Sequence, residues 1–172
     1  FPTRDKPHHA VLFGGYPSRM SDANTELHLI AERIRGDKIT RDALMRAGCD
    51  MQALPAWLRE AVASYDAEYG HQVLSLDTFW ATLGETPAHT LTSLRLLVTN
   101  DVPDPRAQLD AARASRDAAV SALYAELAED EAKLAGFRTT IEMYQANAAV
   151  REDCNFYLQA GWPHIRRVLS VL

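Results

Sequence analysis

Apolar residues recur along this chain at helical spacing, three and four apart, and almost nowhere alternate as in a strand. Leu27, Ile30, Ala31 and Ile34 form a first stripe, which Ser21 or Asp22 can cap and Gly36 stops. Thr40 opens a short helix carrying Leu44 and Ala47, ended by Gly48. Pro55 sits at a plausible first turn, followed by Trp57, Leu58, Ala61, Val62 and Tyr65 on one face and closed by Gly70. Thr86-Pro87 starts another helix, with Leu91, Leu94 and Val98 inward. After the turn-rich NDVPDP loop, Asp104 and Pro105 cap an alanine-rich helix predicted to run to about Gly136. Its lining is Leu109, Ala112, Ala119, Val120, Leu123, Leu127 and Leu134. A last long helix is predicted from Phe137 to Ala160. Gly161-Trp162-Pro163 then breaks it and launches a terminal helix. The extended-looking stretch is His71–Leu76, a short strand or a loop.

The expected class is therefore all-α, an irregular multi-helix bundle with two long C-terminal helices. It is expected as one domain over residues 1–172, with an irregular lead over 1–20. The chain starts at Phe1 and stops at apolar VLSVL, which suggests a piece excised from a longer multidomain enzyme.

Composition narrows the function. The chain has 172 residues, 47 % of them hydrophobic, enough for a real core. The formal net charge of −5 gives no basic excess to attract nucleic acid or an anionic membrane. No apolar run approaches the roughly 20 residues that span a bilayer. Two cysteines, Cys49 and Cys154, do not make a disulfide framework, and a cytoplasmic setting fits them. Cys154 is expected to be a structural thiol.

The candidate chemistry lies in two places. On the 137–160 helix, Phe137, Ile141, Tyr144 and Ala148 fall within about 40° of one direction, and Arg151, Glu152 and Asn155 within about 60° of it. The inward stripe thus turns polar. Met143, Ala146, Val150 and Tyr157 form a second apolar patch, so the helix is expected to be covered on more than one side. A buried Arg151 must be paired or meet a ligand. The alternatives are a carboxylate bridge that ties helices together and an anion held by two parallel hydrogen bonds. The second place is EYGHQVLSLDTFW (68–80). There His71 follows a helix C-terminus and can bind an anion, act as a general acid, or simply cap carbonyls.

Glu68-x-x-His71 has the spacing of half a di-iron carboxylate site, but no second copy exists and no metal site is expected. His8-His9 is expected to be surface. The chain has no phosphate loop, no G-x-G-x-x-G and no G-x-S-x-G elbow.

REDCNFYLQAGWPHIRRVL (151–169) resembles a segment of phosphoenolpyruvate-synthase-like enzymes, in which Arg-Glu-Asp/Glu precedes an aromatic pair. EYGHQVLSLD is similar to the Tyr-Gly-His…Asp stretch upstream of it in that family, and GGYPSRMSDANTELHLIA is weakly similar to the family's lead into an Asn- and Leu-containing helix. The three pieces come in the family's order.

The resemblance implies a helical middle domain, for substrate binding or linkage. Its neighbours in the parent would be an ATP-grasp domain and a mobile phosphohistidine domain that delivers phosphate to a small-molecule acceptor. Pyruvate, water dikinases, rifampicin phosphotransferases and prodiginine-type condensing enzymes share this plan. It implies no cofactor within this chain, and ATP and Mg for the parent. It makes Arg151 and Glu152 catalytic candidates, the first for a phosphoryl or carboxylate group and the second as orienter or proton acceptor. His71 and Asp77 would stand on the opposite wall, with Phe79, Trp80, Tyr144 and Phe156 as apolar lining and Asn155 beside Arg151. Arg166 and Arg167 are expected to be a solvated face. The alternatives are a non-catalytic helical interaction domain and a metal-dependent bundle.

Overall fold

The first helix begins earlier than the Ser21 or Asp22 cap predicts, because Ser18 caps it instead. The Ser21 amide donates to Ser18 Oγ at 3.3 Å, and the Ser18 amide donates back to Ser21 Oγ at 2.8 Å. Two amides at the helix entry are thereby satisfied reciprocally. The computed structural model describes residues 15–72, 82–86 and 88–169, and the side chains of all of these except 149, 152 and 169.

The described residues form α-helices and one 3-10 turn, with no strand among them. The helices are α1 (Arg19–Gly36), α2 (Lys38–Ala47), α3 (Ala56–Tyr69), α4 (Ala88–Thr99), α5 (Pro105–Glu126), α6 (Glu131–Gln159) and α7 (Trp162–Leu169). The 3-10 turn, Met51–Ala53, lies between α2 and α3. The class is all-α, as predicted, and the two long helices α5 and α6 stand toward the C-terminus. Their junction departs from the expected one. The long helix stops at Glu126 rather than near Gly136, and Gly136 lies inside α6. Asp130 is the reason: its carboxylate accepts from the Lys133 amide at 3.0 Å, a helix cap that restarts the chain. The predicted His71–Leu76 strand lies largely outside the described residues, as do His8 and His9.

The chain divides into two compact units, one of residues 1–21 and 104–154, the other of 22–103 and 155–172. The second holds a dense apolar core. Ile34, Leu44, Leu58, Val62, Leu91 and Leu94 are fully buried. Each such side chain contributes about 1.5–3 kcal/mol on leaving water. α4 packs against α2 and α3. Polar ties fix the packing. Thr90 Oγ1 donates to Asp66 Oδ1 at 2.6 Å, joining α4 to α3. Arg95 reaches back to the carbonyls of Leu44 (3.1 Å) and Gly48 at the end of α2. Arg35 does the same for Leu97 and Asn100 (3.1 Å) at the end of α4. Each guanidinium satisfies carbonyls that a helix end leaves without an amide partner. Asp37, not Thr40, caps α2, accepting from the Ile39 amide at 3.0 Å and from Thr40 Oγ1 at 2.6 Å.

The first unit is thinner. α5 has no buried residue, and its predicted lining is half-buried. α5 and α6 meet through an edge-on contact of Tyr124 with Phe137, ring centroids 5.9 Å apart, with Arg138 over the Tyr124 ring. Gly15, with φ of 67°, lies so close to α5 that a Cβ there would stand 2.3 Å from the Arg113 nitrogen. Beside it, the Arg116 guanidinium stacks on Tyr16.

Two expectations for α6 fail. Its inward stripe is buried at Ile141 (4 % exposed), but Tyr144 on the same stripe is 48 % exposed. The second patch is not covered either: Met143, Ala146, Val150 and Tyr157 are all exposed. A helix pattern says which residues share a face; it cannot say that a neighbour is there to cover it.

Candidate functional site

The second unit gathers part of the predicted chemistry where α3 ends. Gly70 closes α3, and its amide donates to Asp66 O at 2.8 Å. The chain on either side of residues 73–81 is then pinned together: the Gly84 amide donates to Gly70 O at 2.6 Å and the Leu83 amide to Gln72 O at 2.9 Å. The approach leaves little room for a side chain at either glycine, and Gly70 is also crowded by its own helix, a Cβ there standing 2.2 Å from Asp66 O. A Cβ on Gly70 would stand 3.0 Å from Gly84 Cα, and one on Gly84 3.1 Å from Gly70 O. Asp77, Phe79 and Trp80 belong to the stretch between these ends and lie outside the described residues.

Thr82 and Glu85 lock the returning end. The Glu85 carboxylate accepts from the Thr82 amide at 2.8 Å and from its hydroxyl at 3.0 Å. Arg166 of α7 closes on the same carboxylate in an ion pair. The Thr82 amide, above all, holds the Glu85 carboxyl below the usual range, and Arg166 adds to it. Arg166 is therefore not the solvated residue expected from sequence. The Thr82-x-x-Glu85 spacing was the signal for this lock, since it is that of a capping box. Nothing in sequence pointed to Arg166, 81 positions away.

His71 and Phe156 are brought together. His71 Nε2 donates to the Phe156 carbonyl at 3.1 Å, and the two rings meet edge-on with centroids 4.3 Å apart. That carbonyl lies in the last turn of α6, where the helix tightens: the Ala160 amide bonds Tyr157 O rather than Phe156 O. His71 thus completes the cap of a helix remote from it in sequence. The arrangement requires a proton on Nε2. Phe156 is 2 % exposed, its ring enclosed by His71, Tyr69 and Tyr157. It is an anchor beneath His71, not part of an open lining.

The remaining candidates lie along α6. Arg151 and Glu152 belong to the first unit, and the Arg151 side chain is exposed rather than inward. Asn155, in the second unit, is exposed as well. Cys154, expected to be a structural thiol, is exposed, and so is Cys49. Among the described residues, no group of three or more His, Cys, Asp or Glu side chains converges as a metal site would need. No helix there is long and apolar enough to cross a membrane.

A family model, the fourth domain of rifampicin phosphotransferase, matches residues 7–152. The chain belongs to this family. The match fits the phosphoenolpyruvate-synthase-like resemblance read from the three sequence motifs. Membership makes the chain a phosphotransferase-family helical module. The matched span contains His71 and the Tyr69-Gly70-His71 turn, and it ends on the Arg151-Glu152 pair. Asn155 and Phe156 lie beyond it. Neither the curated proteins nor the solved structures contain a match to the chain.

Proposed function

We propose that this chain is the substrate-binding or linker domain of an ATP-dependent phosphotransferase or ligase. In that enzyme a mobile phosphohistidine domain would carry phosphate from an ATP-grasp domain to a small-molecule acceptor. The observation that carries the reading is the family match across residues 7–152, which includes the motif-bearing His71 and Arg151-Glu152.

The roles follow residue by residue. The exposed Arg151 guanidinium offers a planar donor fork to a phosphoryl oxygen pair or to a substrate carboxylate. Placed where negative charge builds up in transfer, it stabilises the transition state rather than the bound substrate. Glu152 orients Arg151 or takes the proton from the acceptor hydroxyl. His71 positions the chain entering residues 73–81, anchored by the Phe156 carbonyl and ring. Asp77, Phe79 and Trp80 follow that anchor in sequence and would contribute acceptor contacts, with the exposed Asn155 of the same unit as a further one.

We assign no ATP or Mg contact to this chain. Its sequence has no glycine-rich phosphate loop, and its described residues form no carboxylate cluster. On this reading their chemistry would be supplied by the partner domains of the parent enzyme.

The test is Arg151→Ala in the parent enzyme, with phosphate followed from labelled ATP. Phosphorylation of the carrier histidine should persist while transfer to the acceptor falls by about 100-fold or more, as on loss of a transition-state donor. Normal transfer by the variant would remove Arg151 from the chemistry. It would also favour a second reading, a helical interaction domain without catalytic residues, which the exposed apolar patch at Met143 and Val150 supports.

A further inference from the structure

At the end of α3 the chain of the second unit closes into a neck. The Leu83 amide donates to Gln72 O at 2.9 Å and the Gly84 amide to Gly70 O at 2.6 Å. Glu85, on the returning side, takes the ion pair from Arg166 of α7, whose side chain is only 17 % exposed. These ties hold residues 82–85 to residues 70–72 and α7 to both.

Closure carries a cost. Gln72 is 7 % exposed, and its side-chain Nε2 has no hydrogen-bond partner among the described residues. The indole Nε1 of Trp162 is buried without a partner there as well. Trp162 opens α7 and lies one turn before Arg166 on the same helix face. The helix that brings the closing guanidinium therefore also brings an unsatisfied donor. Both nitrogens are shut off from solvent, so water does not satisfy them where they stand. Buried amide and indole N–H groups normally find an acceptor, and each one left without it is a penalty that disappears once the donor is hydrated.

We propose that this neck is a two-state latch. The closed state is held by the Arg166–Glu85 pair and the two cross-neck amide bonds, against the penalty of the Gln72 and Trp162 donors. In the open state Arg166 leaves Glu85, the amides of Leu83 and Gly84 are freed, and both donors reach water. Opposing terms of similar size keep the two states close in free energy, which is what a bistable element needs. The latch uses none of the residues given acceptor contacts above and does not depend on that reading.

The experiment is amide hydrogen exchange on the full chain at pH 7, followed at Leu83 and Gly84 in the neck and at Leu91 and Leu94 in the core of α4. Gln72→Met, which keeps the length of the side chain and removes the orphaned donor, should slow exchange at Leu83 and Gly84 about tenfold and leave Leu91 and Leu94 unchanged. Unchanged or faster exchange in the neck would overturn the proposal. Equal slowing at all four amides would overturn it too, since Gln72 would then be an ordinary core position. Glu85→Gln, at a part-exposed side chain, tests the other side of the balance and does not require Gln72→Met to fold. It should speed exchange at Leu83 and Gly84 about threefold relative to Leu91 and Leu94. No change in that ratio would show that the ion pair holds nothing closed, and the latch would be refuted.

Discussion

The two units of this chain are both built from helices, yet they differ in how they are held. In the second, α2, α3 and α4 bury Leu44, Leu58, Leu91 and Leu94 completely, and three polar ties lock the helix ends. In the first, α5 and α6 are the longest helices of the chain, but Ile141 is the one large apolar side chain that is buried there among the described residues. Helix length therefore says little about local stability, which follows the apolar area removed from water. The thin unit holds together through ring stacking and a glycine approach at its surface. Its patch at Met143 and Val150 is exposed.

The largest expected effect contrasts the two cores. Leu58→Ala should cost about 2–5 kcal/mol, because a fully buried site cannot collapse around the cavity. Leu123→Ala, at a half-buried α5 position, should cost about 1 kcal/mol or less. Urea unfolding followed by circular dichroism would check both. Similar costs would erase the distinction between the units.

Next is the pinch at the end of α3. Gly70→Ala should lose about 1–3 kcal/mol, the usual cost of forcing a methyl group into a filled space. The same measurement should show it in the midpoint. A neutral result would mean that neither Asp66 O nor the Gly84 backbone needs the space that Gly70 leaves.

The smallest effect is on pH dependence. The folded Glu85 carboxyl is held below its ordinary value of 4.5. Its contribution is thus fully present above pH 4.5 and is lost as pH falls through its folded value. Asp66 acts in the opposite sense: burial raises it, so its contribution is present at low pH and lost as pH rises above 3.8 toward its folded value. The stability difference between the wild type and Glu85→Gln should therefore be greatest near neutrality and shrink on acidification. A difference independent of pH would separate the Glu85 lock from its charge.

What sequence made legible follows the range of the interaction. The helices and most of their ends are local matters of period and capping, and α2, α3 and α4 come out where the pattern puts them. The break between α5 and α6 was local too. Asp130 signalled it, but the alanine-rich surroundings read as continuous helix. Long-range facts were not legible. Arg166 finds Glu85, and His71 finds the carbonyl of Phe156, 85 positions away. The inward orientation expected for Arg151 failed for the same reason: a wheel fixes a direction along α6, while the presence of a neighbour in that direction is a property of the whole fold.

Hydrogen exchange resolved along the chain tests the contrast between the units most directly. The account predicts that amides in α3 and α4, around Leu58, Val62, Leu91 and Leu94, exchange through global unfolding, while those of α5 and of α6 up to Cys154 exchange at least about tenfold faster through local opening. Equal protection of the two sets would contradict it, showing that the long helices are held by something other than the burial described here.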